Sequence, residues 1–181
     1  AGPPRFTVQP ASTAVRFGAK LSISATVSGA RFLQWQKLGS RGWQNIPGAS
    51  RPTLSLGSAT TAMAGGYRLV AVNGRGSAIS RPVIVAVLTP PTVTKQPSST
   101  GVRTGALVAL TAAASGSPVP SIQWQRSVDG GRSWVNIPRA TSPSLQFRAT
   151  MTASGQVRYR AVFRNSQGAA VTRSVTVSVA G

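Results

Sequence analysis

The chain has 181 residues, 41% of them hydrophobic, and carries 20 arginine and lysine residues against one acidic residue, for a formal net charge of +19. With no histidine, no cysteine and a single acid, it has no paired carboxylates, no Cys/His zinc site and no Ser-His-Asp arrangement. No apolar run approaches the roughly 18 to 20 residues that a membrane-spanning helix needs.

Alternating apolar residues predict short, half-buried strands along the first half of the chain. The first clear run is residues 21–27, and a Gln-Trp-Gln segment at 34–36 follows it. A Leu-x-Leu strand at 54–56 comes next, and then a strand at 67–73 that ends in an Asn-Gly turn. The half closes with alternating valines at 83–87.

The same elements return in the second half. Gln34-Trp35-Gln36 recurs at residues 123–125, and the offset between matching motifs grows only from 87 to 92 residues along the chain. We therefore predict a duplicated domain, with domain 1 at residues 1–89 and domain 2 at residues 90–181. Six to eight short strands in each copy indicate an all-β sandwich. Pro90 and Pro91 are expected to form a stiff junction.

The order of these motifs resembles immunoglobulin-like domains, and most of all the cysteine-free, I-set-like tandem domains of bacterial surface and secreted proteins. The resemblance covers nearly all of both copies and implies two tandem immunoglobulin-like antiparallel β-sandwiches. It also implies that Trp35 and Trp124 are core tryptophans and that Tyr67 and Tyr159 are tyrosine-corner residues. The positions of the usual disulfide are occupied by Ala25, Leu69, Ala112 and Ala161. Each core must then rest on packing alone.

The residue types argue against catalysis, so we expect no enzyme activity, no metal site and no cofactor. A Ser-Lys dyad using Lys20, Lys37 or Lys95 stays formally open, although nothing around these lysines indicates burial. The one acid, Asp129, lies in an Asp-Gly-Gly turn, where its side chain is expected to cap the local backbone.

Two further tryptophans, Trp43 and Trp134, follow the strand that carries each core tryptophan. We expect them to cover a sandwich edge beside Ile46 and Ile137. The alternative is an exposed platform for a carbohydrate or a base.

Strand parity predicts a basic face in domain 2. If Tyr159 and its alternate neighbours point into the core, the residues between them must point outward. Outward residues of one strand stand about 7 Å apart, a spacing that can follow anionic groups along a polymer. The candidate anion- or partner-binding residues are Arg158, Arg160, Arg164, Gln123, Gln125 and, as the weaker counterpart in domain 1, Arg68. The alternative is a solvated face with no partner.

A second surface is predicted on the opposite sheet of domain 2. Its outward residues, Leu107, Ala109, Thr111 and Ala113, are small and mostly apolar. Such a face suits packing against a neighbouring sheet, including self-assembly. The alternative is an unused surface.

These observations predict a non-enzymatic structural or adhesion module, extracellular or on a bacterial cell surface. Its basic face would dock onto acidic protein subunits or anionic envelope polymers, because almost no acid in the chain can balance its charge. The alternative function is a polyanion-binding protein that grips nucleic acid, lipopolysaccharide or acidic polysaccharide. It comes second because the sequence has no nucleic-acid motif and only 6% aromatic residues.

Overall fold

The computed structural model describes residues 2–152 and 156–181, and these contain 19 strands and one short 3₁₀ turn. This confirms the predicted all-β class. Contacts divide the chain into two units, residues 1–88 and 89–181. The division falls one residue before the predicted domain boundary.

The first unit has one five-strand path, β2-β10-β8-β5-β6, and two further strand pairs, β1-β4 and β3-β7. The bounds are β1 (Arg5–Val8), β2 (Thr13–Arg16), β3 (Lys20–Ser24), β4 (Thr26–Ser28), β5 (Phe32–Gly39), β6 (Gly42–Asn45), β7 (Thr53–Ser58), the 3₁₀ turn (Thr61–Met63), β8 (Gly65–Asn73), β9 (Gly76–Ile79) and β10 (Val83–Lys95). Strand β9 pairs with β8, and every pair is antiparallel except β2 with β10, which is parallel.

The second unit repeats this topology. Its main sheet follows the order β11-β19-β17-β14-β15, with β18 on β17, and its other layer holds the pairs β12-β16 and β13-β10. The bounds are β11 (Thr100–Arg103), β12 (Leu107–Thr111), β13 (Ala113–Ser117), β14 (Ser121–Ser127), β15 (Val135–Asn136), β16 (Ser144–Arg148), β17 (Gln156–Asn165), β18 (Gly168–Val171) and β19 (Val175–Ala180). Here too one pair, β11 with β19, is parallel.

Each unit packs its two layers around a fully buried tryptophan. Trp35 and Trp124 are both 0% exposed, and the indole nitrogen of each donates to a backbone carbonyl, of Arg51 and Ser142 respectively. The residues at the usual disulfide positions, Ala25, Leu69, Ala112 and Ala161, are buried in these two cores. Tyr67 is buried and its hydroxyl donates to the carbonyl of Met63, four residues earlier, as a tyrosine corner requires.

The proline junction is not a separate linker. Pro90 and Pro91 lie within β10, whose first residues pair with β8 and whose last residues pair with β13. The pairing with β13 shifts register between Thr89 and Thr92. The two prolines, which lack an N–H donor, fall within this irregularity and outside the regular ladder.

Gln9-Pro10 of domain 1 recurs as Gln96-Pro97 in domain 2, and this Gln-Pro motif has a structural role. The last strand of each domain is interrupted, at Ser80 and at Thr172, where a side-chain hydroxyl accepts the N–H of Leu69 or Ala161. The residue after each interruption donates its N–H to the amide oxygen of Gln9 or Gln96. The motif thus holds the interrupted strand in place in both copies.

Candidate functional site

Strand β17 presents its arginines on the side away from the core. Tyr159, Ala161 and Phe163 are buried, whereas Arg158 and Arg164 are exposed and Arg160 is half-buried. The alternation of inward and outward residues from which the basic face was predicted is therefore present in β17. The three arginines nevertheless have different surroundings.

Arg160 is held in a cluster of side chains. Its Nε donates to Oε1 of Gln125 at 2.8 Å, and Nε2 of Gln125 donates to Oδ1 of Asn136 at 2.8 Å. The guanidinium carbon lies over the ring of Trp134, 4.2 Å from its centroid. Burial lowers the pKa of Arg160 from its usual value. We call Arg160, Gln125, Trp134 and Asn136 the Arg160 cluster.

Domain 1 contains the same arrangement around Arg68. Nε of Arg68 donates to Oε1 of Gln36 at 2.7 Å, and Nε2 of Gln36 donates to Oδ1 of Asn45 at 2.8 Å. The guanidinium carbon lies 4.4 Å from the centroid of the Trp43 ring. The same cluster is present in both domains. We therefore infer that it stabilises the edge of each sandwich. Trp43 and Trp134 are each half-buried with one face covered by an arginine.

Gln123 lies on the same face, but its amide group is engaged with the backbone. Nε2 donates to the carbonyls of Trp124 and Ile137, each at 2.8 Å, and Gln34 makes the same two contacts in domain 1. The bond to Ile137 holds the segment that follows β15 against β14, the strand that carries Gln123. The amide donors of Gln123 are unavailable to an external acceptor without loss of these bonds.

The exposed arginines of the face are far apart. Val162, between Arg160 and Arg164 on the outward side, is only 6% exposed. Arg158 and Arg164 are six residues apart on one strand, which separates their Cα atoms by about 20 Å. Arg158 lies beside the turn after β14, where its side chain approaches Gly131. The structure therefore places two separate exposed cations on either side of the Arg160 cluster.

Asp129 is committed to its own turn. Its carboxylate accepts hydrogen bonds from the hydroxyls of Ser127 and Ser133 and from the N–H of Ser133. These bonds, above all those from Ser133, hold the pKa of the carboxyl well below its usual range. Within residues 2–152 and 156–181 no ion pair joins Asp129 to a basic side chain. The basic side chains of the protein are thus not neutralised by its one acidic side chain.

The predicted packing face on β12 is less apolar than its own residues indicate. Leu107 is 60% exposed and Ala109 is exposed, whereas Thr111 is half-buried. The prediction is wrong for Ala113, because β12 ends at Thr111 and the half-buried Ala113 begins β13, opposite Lys95 of β10. The partner strand β16 sets polar residues opposite those of β12: Arg148 opposite Leu107, Gln146 opposite Ala109 and Ser144 opposite Thr111. The strand pair therefore presents a mixed surface.

Sequence reasoning missed a cavity in domain 2. It has a volume of about 600 Å³ and lies along β16, with Leu145, Phe147 and Tyr159 among its apolar lining and Arg126, Arg139 and Arg148 among its basic lining. One available signal was the motif Ile137-Pro138-Arg139-Ala140, because domain 1 has a glycine, Gly48, where this motif has Arg139.

Two layered β-sandwiches of matching topology, each closed around a buried tryptophan, define the chain as a pair of tandem immunoglobulin-like domains. Residues 92–181 match the family model described as "Domain of unknown function (DUF8696)". Endoglucanase C of Cellulomonas fimi is 37% identical over 179 residues, a similarity that covers 97% of this chain and 16% of Endoglucanase C. The chain thus spans about a sixth of the length of that relative.

The solved structures similar to this one are immunoglobulin-like as well. DIP-gamma IG1+IG2 superposes with a TM-score of 0.71 at 16% identity and covers 98% of both chains. An I-band fragment of titin superposes with a TM-score of 0.63 at 20% identity, over 99% of this chain and 66% of the titin fragment. At these identities the likeness establishes the fold alone. Among the described residues there is no helix long and apolar enough to cross a membrane.

Proposed function

We propose that the chain is a non-catalytic extracellular module of the I-set-like type that occurs in bacterial surface and secreted proteins, and that it docks onto acidic proteins or anionic envelope polymers. The similarity to 16% of Endoglucanase C supports a module that accompanies other domains in a larger polypeptide. The immunoglobulin-like neighbours support the tandem sandwich fold of such a module and nothing finer.

The side chains support a non-catalytic role. A general acid or base must offer a proton-exchanging group to a substrate. The sequence has no histidine or cysteine, and its only side-chain carboxylate, Asp129, is occupied by Ser127 and Ser133. Of the three lysines that could belong to a Ser-Lys dyad, Lys37 donates a hydrogen bond from its ammonium group to the carbonyl of Ala62.

The observation that carries the docking proposal is uncompensated positive charge on an ordered surface. Arg158 and Arg164 are exposed on strand β17, and no side-chain carboxylate of the chain neutralises them. Arg160, anchored by Gln125 and Trp134, adds a positive charge between them without the freedom to follow a ligand. The basic face therefore has two exposed cations and one anchored cation, which suits an extended anionic partner better than a compact one.

The test is the salt dependence of binding to a polyanion. We use the full chain and a short DNA duplex, whose charge spacing is known, and measure the dissociation constant between low and moderate salt by fluorescence anisotropy. Each phosphate contact contributes about 0.9 to the slope of log affinity against log salt for B-DNA. Replacing both exposed arginines, Arg158→Gln with Arg164→Gln, is therefore expected to lower the slope by close to two.

The matched control is Arg103→Gln with Arg173→Gln, two exposed arginines of the same domain on other strands and loops. It removes the same charge and is expected to leave most of the slope in place. Equal effects of the two double variants would show that binding follows net charge alone, against a docking face. The same measurement with an acidic polysaccharide separates the leading proposal from a nucleic-acid-binding function.

A further inference from the structure

The cavity along β16 has the size and lining of a small-ligand site. Its volume of about 600 Å³ lies within the range of roughly 300 to 1,000 Å³ typical of such sites. All five residues of β16 line it, inward and outward ones alike. Strand β12 pairs with β16 along its whole length on one side. The cavity therefore borders the other edge of this strand, between the two layers of the sandwich.

Apolar and aromatic groups form one part of the lining. Leu145 is buried, and the rings of Phe147 and Tyr159 stack with their centroids 4.9 Å apart. Val177, from the main sheet, is also in contact with the cavity and is almost completely buried. This part can accept a hydrocarbon or aromatic body.

Three arginines form another part of the lining. Arg126 lies directly opposite Tyr159 in the pairing of β14 with β17, and its positive charge acts against the burial that raises the pKa of Tyr159. Arg148 donates one hydrogen bond to the carbonyl of Gly105. The side chains of Arg126 and Arg139 have no hydrogen-bond partner among residues 2–152 and 156–181. All three arginines are exposed to solvent and no acidic side chain is among the residues that line the cavity, so none of the three is neutralised from within it.

Arg139 occupies a backbone conformation that disfavours it. Its φ is 62°, the one positive value of a residue other than glycine in the described part of the chain. The equivalent turn of domain 1 places Gly48 there with a φ of 73°. A side chain in the left-handed region costs conformational energy that glycine avoids. Such a residue, held at the lining of a cavity, points to a function for the side chain.

Domain 1 lacks this combination. The position of Arg126 is taken there by Lys37, whose ammonium group donates to Ala62 and lies over the ring of Tyr67. The position of Arg148 is taken by Ser58, as the matching strand registers show, and that of Arg139 by Gly48. Met63 also packs against the core of domain 1. The three arginines are thus a property of domain 2 and not of the fold.

We propose that this cavity binds a small organic anion with an apolar body, with its acid group at Arg126, Arg139 and Arg148 and its body against Leu145, Phe147 and Tyr159. Arginine suits a carboxylate because its guanidinium donates two parallel hydrogen bonds. The lining also contains polar side chains, among them Ser144 and Gln146, but its buried apolar part favours an anion with a hydrophobic body over free phosphate. The inference is separate from the proposed docking surface, because Arg158 and Arg164 do not line this cavity.

The experiment uses the full chain and three ten-carbon probes below their micellar concentrations: decanoate, decanol and decyltrimethylammonium. Binding is measured by calorimetry and located by NMR chemical shifts. We expect decanoate to bind and to shift the resonances of Leu145 and Phe147, while the neutral and cationic probes bind at least about ten-fold more weakly, as loss of one charge-assisted hydrogen bond implies.

The informative variant is Arg139→Gly, which restores the residue of domain 1 and removes one charge without introducing backbone strain. It is expected to keep the fold and weaken decanoate binding about ten-fold, whereas Arg103→Gln, of equal charge loss elsewhere, leaves it unchanged. Equal binding of decanol and decanoate, shifts confined to domain 1, or no binding of decanoate at millimolar concentration would each overturn the proposal. So would unchanged binding in Arg139→Gly.

Discussion

The guanidinium of Arg160 lies over the indole ring of Trp134, with its central carbon 4.2 Å from the ring centroid. Its Nε also donates to Gln125, so this cation is positioned from two directions. Arg68, Trp43 and Gln36 repeat the arrangement in domain 1. A contact present in both copies stabilises the sandwich itself, which separates Arg160 from the freer arginines on the same strand.

The first prediction follows from this difference. Arg160→Gln is expected to destabilise domain 2 by about 1 to 2 kcal/mol, because it removes a cation–π contact and a charge-assisted hydrogen bond at a half-buried site. Arg164→Gln, on the same strand but exposed, is expected to change stability by less than about 0.5 kcal/mol. Urea unfolding of the two variants, with wild type, makes the comparison. Equal losses would show that Arg160 is no more structural than its neighbour.

Much of this architecture can be predicted from the sequence, because period-two alternation and a duplicated motif are local signals. The outward direction of Arg158 follows from parity alone, and the buried positions of Trp35 and Trp124 follow from the resemblance to immunoglobulin-like domains. The contacts of Arg160 do not, because Trp134 lies 26 residues away along the chain and reaches it only through the pairing of β14 with β15 and β17. The alternation along a strand predicts on which face of the sheet a side chain lies, but it does not predict which residue that side chain contacts.

Three other features lie beyond a sequence pattern for physical reasons. Gln123 looks like a surface residue, but its amide turns back to the carbonyls of Trp124 and Ile137, a choice that depends on the turn after β15. The size of the cavity along β16 depends on how far the two layers separate, which the local signal at Arg139 does not give. The face of Leu107 fails as a flat apolar patch because the register of β16 sets Arg148 opposite it.

A second prediction concerns the core of domain 2. Trp124→Ala is expected to cost about 3 to 5 kcal/mol, since it empties a completely buried site that no disulfide reinforces. This is a large part of the stability of an ordinary small domain, so domain 2 is expected to unfold in the variant at moderate urea. Far-ultraviolet circular dichroism during urea titration measures the loss. A cost below about 1 kcal/mol would contradict the buried placement of the ring.

A third prediction concerns the asparagine that ends strand β17. Nδ2 of Asn165 donates to the carbonyls of Thr89 and Pro118, each at 2.8 Å, and its Oδ1 accepts the N–H of Gln167. Asn165→Ala is expected to destabilise domain 2 by about 1 to 3 kcal/mol, because these groups lose their partner.

The matched variant for this site is Asn165→Asp. It keeps an acceptor for Gln167 but turns a carboxylate oxygen towards two carbonyls, so at neutral pH it is expected to be at least as destabilising as Asn165→Ala. Both are measured by urea unfolding. If Asn165→Asp proved as stable as wild type, the two donated bonds would not be what holds this turn.

The fourth prediction is a pH dependence that arises from Asp129. Hydrogen bonds from Ser133 and Ser127 hold the pKa of this carboxyl well below its usual value in the folded chain, whereas in the unfolded chain the pKa is about 3.9. A depressed folded pKa gives stability that is fully present above the unfolded pKa and is lost as pH falls. With no histidine in the sequence, stability is expected to be nearly flat from about pH 5 to pH 8 and to decline below about pH 4.

The variant Asp129→Asn isolates this contribution, because it keeps a carbonyl acceptor for the serines but does not titrate. Urea midpoints of both proteins are measured at pH 7 and at pH 2.5 in matched salt. Wild type is expected to be the more stable at pH 7, and the difference is expected to shrink at pH 2.5, as the unfolded wild-type chain takes up its proton. The terminal carboxylate titrates in both proteins and cancels in the comparison. A difference that stays constant between the two pH values would mean that the turn is held by the shape of the Asp129 side chain and not by its charge.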